Sequence, residues 1–212
     1  MIYFFRDEYI DEASAKIDVM SPSVQYGLNV FEGIRGYYNY DEAVLNIVEL
    51  NSHIYRLLES AKFLNIKHSY DFFLIQSTIL NTIKLNKIQS DIYLRVVLLF
   101  DKPGSWITSD YATLLVVPLL STPFDLEKNP LTAKISSWER INGRSLPPRI
   151  KAGANYLNSR LAQQEIKSSG FDMAIFLDSF GYVSEAPGSC IFMIKKGEFY
   201  TPSLNSSILG SI

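Results

Sequence analysis

Lys151 lies in the run Pro147-Pro-Arg-Ile-Lys151-Ala-Gly-Ala-Asn155-Tyr156. The three small residues after the lysine leave room beside its amine for a flat ligand. A lysine amine ordinarily titrates near pKa ~10.4 and is a poor nucleophile at neutral pH. Burial or a nearby charge that lowers this value lets the amine condense with an aldehyde. Taken alone, the segment also reads as a solvated loop lysine.

A second segment bears on the choice. Gly181-Tyr-Val-Ser-Glu185-Ala-Pro-Gly188-Ser-Cys-Ile-Phe192 sets a carboxylate among apolar strand residues and closes on a glycine turn. Glu185 shares a strand face with Val183, which argues against full solvation. Bound to a pyridine nitrogen, the carboxylate keeps that nitrogen protonated and makes the ring an electron sink. A glutamate on an edge strand, or one capping the turn, is the plainer reading. Together the two segments point to pyridoxal-phosphate chemistry, with amino-group transfer as the leading reaction.

Other residues are candidates for binding. Arg56 falls off the apolar stripe of its expected helix. A guanidinium there suits a phosphate, and equally a surface pair with Glu59 or Ser60. Tyr93 and Arg95 are two apart in a strand, so both project from one face. So apolar a strand obliges Arg95 to find an anion, either a core carboxylate or that of a substrate. Tyr26, Phe31 and Tyr37 cluster near Gly27, Gly33 and Gly36, as core packing or as the wall of a substrate site.

Other chemistries lack their parts. His53 and His68 have no cysteine cluster beside them, which leaves no metal site and reads them as helix-end or surface residues. Ser184 and Ser189 have no nearby histidine base. Phe31-Glu-Gly-Ile-Arg-Gly36 lacks dinucleotide or Walker spacing. The net charge of -2 gives no reason to expect nucleic-acid or membrane binding. The single cysteine, Cys190, excludes an intrachain disulfide. The most apolar run, Thr113 to Leu120, is shorter than the roughly 20 residues that span a bilayer. The N-terminus lacks signal-peptide character, so a soluble cytoplasmic protein is expected.

Both halves of the chain must position these groups. Val30–Tyr38 and Val44–Leu50 read as a hairpin around Asn39-Tyr-Asp-Glu42. A helix capped at Asn51-Ser52 follows, with Ile54, Leu57, Leu58, Ala61 and Leu64 on one face. A second helix starts at Ser69 or Asp71, with a stripe of Phe72, Ile75, Ile79 and Ile83. Strands are expected at Asp91–Phe100, Tyr111–Leu119, Lys134–Trp138, Asp172–Asp178, Tyr182–Glu185 and Cys190–Lys195. A helix over Asn155–Ser169 turns Leu157, Leu161, Ala162 and Ile166 to its core and stops at Gly170. Leu120 to Pro130 loses periodicity and carries two prolines. The division is therefore a small domain over 1–119, a linker over 120–130 and a second domain over 131–212, both of mixed α/β (α+β) class.

In this order the segments resemble the class IV, fold-type IV pyridoxal-phosphate aminotransferases, most closely those acting on branched-chain amino acids. The resemblance rests on Tyr26-Gly-Leu-Asn-Val-Phe-Glu-Gly-Ile-Arg35, Tyr93-Leu-Arg95, Ser136-Ser-Trp-Glu-Arg140, the Lys151 to Tyr156 run and the Tyr182 to Phe192 run. It implies a two-domain fold with the cofactor between the domains, and an active site completed in a homodimer or higher oligomer. Residue by residue, it implies that Lys151 forms the Schiff base and moves the α-proton. Tyr156 bonds the phenolic oxygen, Glu185 the ring nitrogen, and Arg56, Ser211 and Ile212 the phosphate. Tyr26, Phe31, Gly33, Tyr93 and Arg95 line the substrate site. The implied substrates are small amino acids and 2-oxo acids: leucine, isoleucine or valine exchanging with 2-oxoglutarate. A D-amino-acid transaminase, an aminodeoxychorismate lyase and a non-catalytic remnant are the alternatives. Gln25, and Ser189-Cys190, depart from the usual residues at those positions. The resemblance also implies that the large domain continues past Ile212, with further phosphate and substrate contacts.

Overall fold

Antiparallel pairing organises the first half of the computed structural model, which describes residues 1–121 and 130–212. These fall into two compact units. One holds 1–121 together with Lys151–Gly153 and Ile212; the other holds 130–150 and Ala154–Ser211. Lys151 thus packs with the first unit although it lies in the second half of the sequence. Most of the expected linker, residues 122–129, lies outside the described residues.

The first unit is built on six strands: β1 (Ile2–Phe5), β2 (Glu8–Asp11), β3 (Asn29–Asn39), β4 (Val44–Ile47), β5 (Ile92–Leu99) and β6 (Thr113–Leu120). Their order is β2-β1-β6-β5-β3-β4, antiparallel throughout. The β3–β4 hairpin turns where the polar Asn39-Tyr-Asp-Glu42 stretch predicts. The β1–β2 hairpin was not anticipated, and its turn residues Arg6 and Asp7 have φ of 53° and 63°. β1 meets β6 only at Phe4↔Val116 and Phe5↔Leu115, whereas β5 pairs with β6 along its whole length, Pro118 included.

Alternation decides which side is core. Val30, Glu32 and Ile34 of β3, Ile92, Leu94, Val96 and Leu98 of β5, and Leu114 and Val116 of β6 are all buried. Two helices, α2 (Leu50–Phe63) and α3 (Phe72–Leu85), pack against the sheet. The opposite positions, Phe31, Gly33 and Arg35 on β3 with Tyr93 and Arg95 on β5, share the other face.

Helix boundaries follow local chemistry. Asp71 caps α3, its side chain accepting the Leu74 N–H at 2.7 Å. α2 begins at Leu50, after Glu49 in the left-handed region, and its expected Asn51-Ser52 cap is instead inside the first turn. The buried face of α2 is His53, Ile54, Leu57, Ser60 and Ala61, so two polar residues replace Leu58 and Leu64 in the expected stripe. A short helix, α1 (Pro22–Tyr26), is capped by Ser21 and ends on Gly27 at φ 66°.

In the second unit, β7 (Ala133–Ile135) and β8 (Met173–Ile175) pair in parallel, and α4 (Tyr156–Ser168) packs on β8. Ala162 and Ile166 of α4 meet Ala174 and Phe176, with Phe171 against them. Leu157 is 63% exposed, so the buried face runs through Ser159, Ala162 and Ile166 instead. β9 (Met193–Lys195) and β10 (Glu198–Tyr200) form a hairpin turned by Lys196 and Gly197 at φ 53° and 80°. Tyr182–Glu185 is not a regular strand. It is held by Ser184 N–H to Phe176 O at 2.9 Å and Phe176 N–H to Glu185 O at 3.0 Å. Asp178 fixes the intervening turn by accepting the Phe180 and Tyr182 N–H groups, each at 2.9 Å. No helix among the described residues is long and apolar enough to cross a membrane.

Candidate active site

Lys151 is stitched to the edge of β3. Phe31 N–H donates to the Lys151 carbonyl at 3.0 Å, Val30 bridges to Ala152, and Lys151 N–H donates to Ser60 Oγ at 3.2 Å. Backbone pairing therefore fixes where the side chain starts, and the amine lies 5.5 Å from the centre of the Phe31 ring. Gly153 is needed for this approach, because a Cβ there would fall 2.6 Å from Asn29 Oδ1.

Phe31 also receives a second cation, the Arg95 guanidinium, at 4.4 Å. Arg95 lies 5.3 Å from the Tyr93 ring, and Arg35 lies 5.4 Å from that same ring. Cation–π contacts of this kind contribute about 0.5–2 kcal/mol each but leave a guanidinium's N–H groups available. No carboxylate among the described residues forms an ion pair with Arg95, whose contacts are the Phe31 and Tyr93 rings. Gly33 makes the arrangement possible: a Cβ there would lie 1.9 Å from Tyr93 Oη. Tyr26 ends α1, is half exposed, and makes no ring or hydrogen-bond contact with this group. A cavity of about 310 Å³ opens beside Phe31 and Arg95, walled by Ile17, Val24, Val97 and Leu99.

Arg56 does not pair with Glu59 or Ser60. Its Nε and Nη2 donate to Glu32 Oε1 and Oε2 at 2.6 and 2.7 Å, and His53 Nδ1 is 2.8 Å from Oε2. Glu32 is fully buried, and His53 is buried too rather than at the surface. Burial pushes the Glu32 carboxyl up, but the hydrogen bonds from Arg56 and His53 and the charges of Arg56 and Lys151 outweigh it. The net effect holds Glu32 below the usual carboxylate value. One buried carboxylate thus fixes both the Arg56 guanidinium and the His53 ring. Sequence reasoning missed Glu32 because its partners come from a helix 21 and 24 residues away.

In the second unit Glu185 is buried while Val183 is 43% exposed, so a shared strand face is not the cause. Burial follows from the pairing with Phe176 and from Arg140, whose Nε donates to Oε1 at 2.6 Å; Oε2 accepts the Leu209 N–H at 3.0 Å. Arg140, 45 residues upstream, also escaped sequence reasoning as a partner. Tyr156 opens α4, half buried. Ser211 and Ile212 lie in exposed irregular chain. No group of three or more metal-ligating side chains occurs among the described residues.

The fold is that of the fold-type IV pyridoxal-phosphate enzymes, and the chain belongs to the amino-transferase class IV family, whose profile matches residues 29–212. It is 36% identical, over 99% of its length and 68% of the relative's, to a probable branched-chain-amino-acid aminotransferase of Aquifex aeolicus. It superposes with TM-score 0.92 at 33% identity on the branched-chain aminotransferase of Thermoproteus uzoniensis solved with norvaline, covering all of this chain and 71% of that one. The PLP-form structure of the Thermobaculum terrenum branched-chain amino acid aminotransferase gives TM-score 0.92 at 32% identity, covering 100% of this chain and 69% of that one. The residues present fit that cofactor. They supply an amine beside an aromatic face and a guanidinium fixed on a buried carboxylate in the first unit, and a buried carboxylate backed by arginine in the second.

Proposed function

We propose that the chain transaminates leucine, isoleucine and valine with 2-oxoglutarate, as a cytoplasmic homodimer. One observation carries the substrate class: the cavity beside Phe31 combines an aliphatic wall with a single guanidinium, that of Arg95. Two kinds of amino donor alternate in such a reaction, one with a branched apolar side chain and one with a side-chain carboxylate. An apolar wall ending in an arginine accommodates both. The names of the relatives agree with this reading.

When bound, pyridoxal phosphate supplies an electron sink for charge developing at the substrate α-carbon. The protein supplies position and proton movement. Lys151 Nζ would join the cofactor aldehyde with loss of water and, once the incoming amino group has displaced it, would be the free amine that takes the proton from the α-carbon. Arg56 would hold the phosphate, with the amides of Ser211 and Ile212. Tyr156 would donate to the phenolic oxygen, and Glu185 would accept from the ring N–H. Tyr26, Phe31, Gly33 and Tyr93 shape the substrate wall.

The test is an absorbance spectrum of the purified chain with pyridoxal phosphate, before and after leucine, with Lys151→Ala as the control. Leucine should convert the bound cofactor from its aldehyde to its amine form in the wild type only. A cofactor that ignores leucine and responds to D-alanine, or an active Lys151→Ala protein, sinks the reading.

A further inference from the structure

We propose that Arg140 is a positioning residue for Glu185, fixing that carboxylate as an oriented hydrogen-bond acceptor for the cofactor's ring N–H. The inference rests on the reading of Glu185 given above and adds a residue whose role no resemblance supplied.

The geometry is that of a built support. Both side chains are buried, 7% and 8% exposed, and the guanidinium meets the carboxylate through one 2.6 Å bond. Arg140 is itself fixed from three sides. Its N–H donates to Leu177 O at 2.9 Å, its Nη1 to Asn158 Oδ1 at 3.3 Å, and its Cζ lies 5.6 Å from the Phe176 ring. Asn158 also donates to Glu139 O at 2.9 Å, tying the backbone beside Arg140 to α4.

A carboxylate offers about four acceptor positions. Arg140 and the Leu209 N–H use one on each oxygen, which fixes the plane of the group and leaves the other positions for a ligand. The charge matters as much as the aim. A charged donor makes the stronger hydrogen bond to a carboxylate, and a buried carboxylate keeps its place only with a partner of opposite charge beside it. Arginine suits the task because it does not deprotonate and its planar fork is rigid.

The test compares two ligands on the full chain: pyridoxal phosphate, and its 1-deaza analogue with CH in place of the ring nitrogen. Affinities are read by tryptophan fluorescence quenching. The ratio of the two isolates the ring-nitrogen contact. Glu185→Gln should lower the preference for pyridoxal phosphate about tenfold, the worth of one charge-assisted hydrogen bond. Arg140→Met should lower it by a similar factor, the double variant no further, and Arg140→Lys by less. If the methionine variant does not fold, a severalfold loss of preference in Arg140→Lys, at unchanged affinity for the analogue, carries the same conclusion. Equal weakening of both ligands in the Arg140 variants would reduce Arg140 to packing and overturn the proposal. An unchanged preference in Glu185→Gln would instead refute the reading of Glu185, and the proposal with it.

Discussion

Replacing Glu32 by glutamine keeps the shape of the side chain and removes its charge, at a position with no solvent exposure. Glu32 accepts three hydrogen bonds: two from Arg56 at 2.6 and 2.7 Å, and one from His53 at 2.8 Å. A glutamine oxygen can keep the donors on one side, but its amide then faces N–H groups on the other. Breaking a buried ion pair by removing one partner costs about 3–5 kcal/mol. The lower end applies here, because the Arg56 side chain is 14% exposed and one acceptor survives. A loss of ~3 kcal/mol corresponds to a fall in Tm of roughly 6–12 °C for a chain of this size. Thermal unfolding followed by circular dichroism, without cofactor, measures it. The pH dependence has a definite sign. The folded-state value of Glu32 is depressed below 4.5, so its contribution is complete above that pH and is lost as pH falls through the folded value. The gap between wild type and Glu32→Gln should therefore be constant near neutrality and close in acid. A loss under ~1 kcal/mol at neutral pH, or a gap that widens in acid, would refute the reasoning.

Two further substitutions probe the framework. Gly33→Ala places a methyl 1.9 Å from Tyr93 Oη and must displace the ring that lies between Arg35 and Arg95. Overpacking costs about 1–3 kcal/mol, and kcat/KM for glutamate should fall more than kcat/KM for leucine; an equal fall would dissociate Tyr93 and Arg95 from acidic donors. Asp71→Ala removes the cap of α3 and should cost about 1 kcal/mol in urea unfolding, so an unchanged midpoint would show that the 2.7 Å bond to Leu74 contributes nothing net.

What could be read from the chain divides along sequence distance. The β3–β4 hairpin, β5 and the Asp71 cap are set by neighbours within a few residues, so alternation and capping rules reach them. The β1–β2 hairpin joins the sheet through β6, more than 100 residues later, and no local period announces that pairing. The exposed Leu157 shows the limit of counting apolar residues. α4 turns Ser159, Ala162 and Ile166 inward because β8 offers Ala174 and Phe176 there. At the site, Lys151 and Glu185 stand out by their own surroundings. Glu32, His53 and Arg140 do not, because a buried charge is recognisable only once its partner is in place. Read alone, His53 fits a helix end or the surface, and Arg56 fits either a phosphate or a local pair with Glu59 or Ser60.

Pro118 stands where β1 parts from the sheet. β1 leaves β6 after Val116, and Asn86 takes up the Ile2 backbone groups instead, accepting from its N–H and donating to its carbonyl at 2.8 and 2.7 Å. The remaining stretch of β6 carries the exposed Leu119 and Leu120 beside an edge no described strand covers. An open apolar edge of this kind recruits foreign strands. Pro118, just before Leu119 and Leu120, is buried and has no N–H that would need a partner on that side. The same residue completes the ladder with Leu94 on the other, so the sheet leaves β1 behind here without stranding a buried donor.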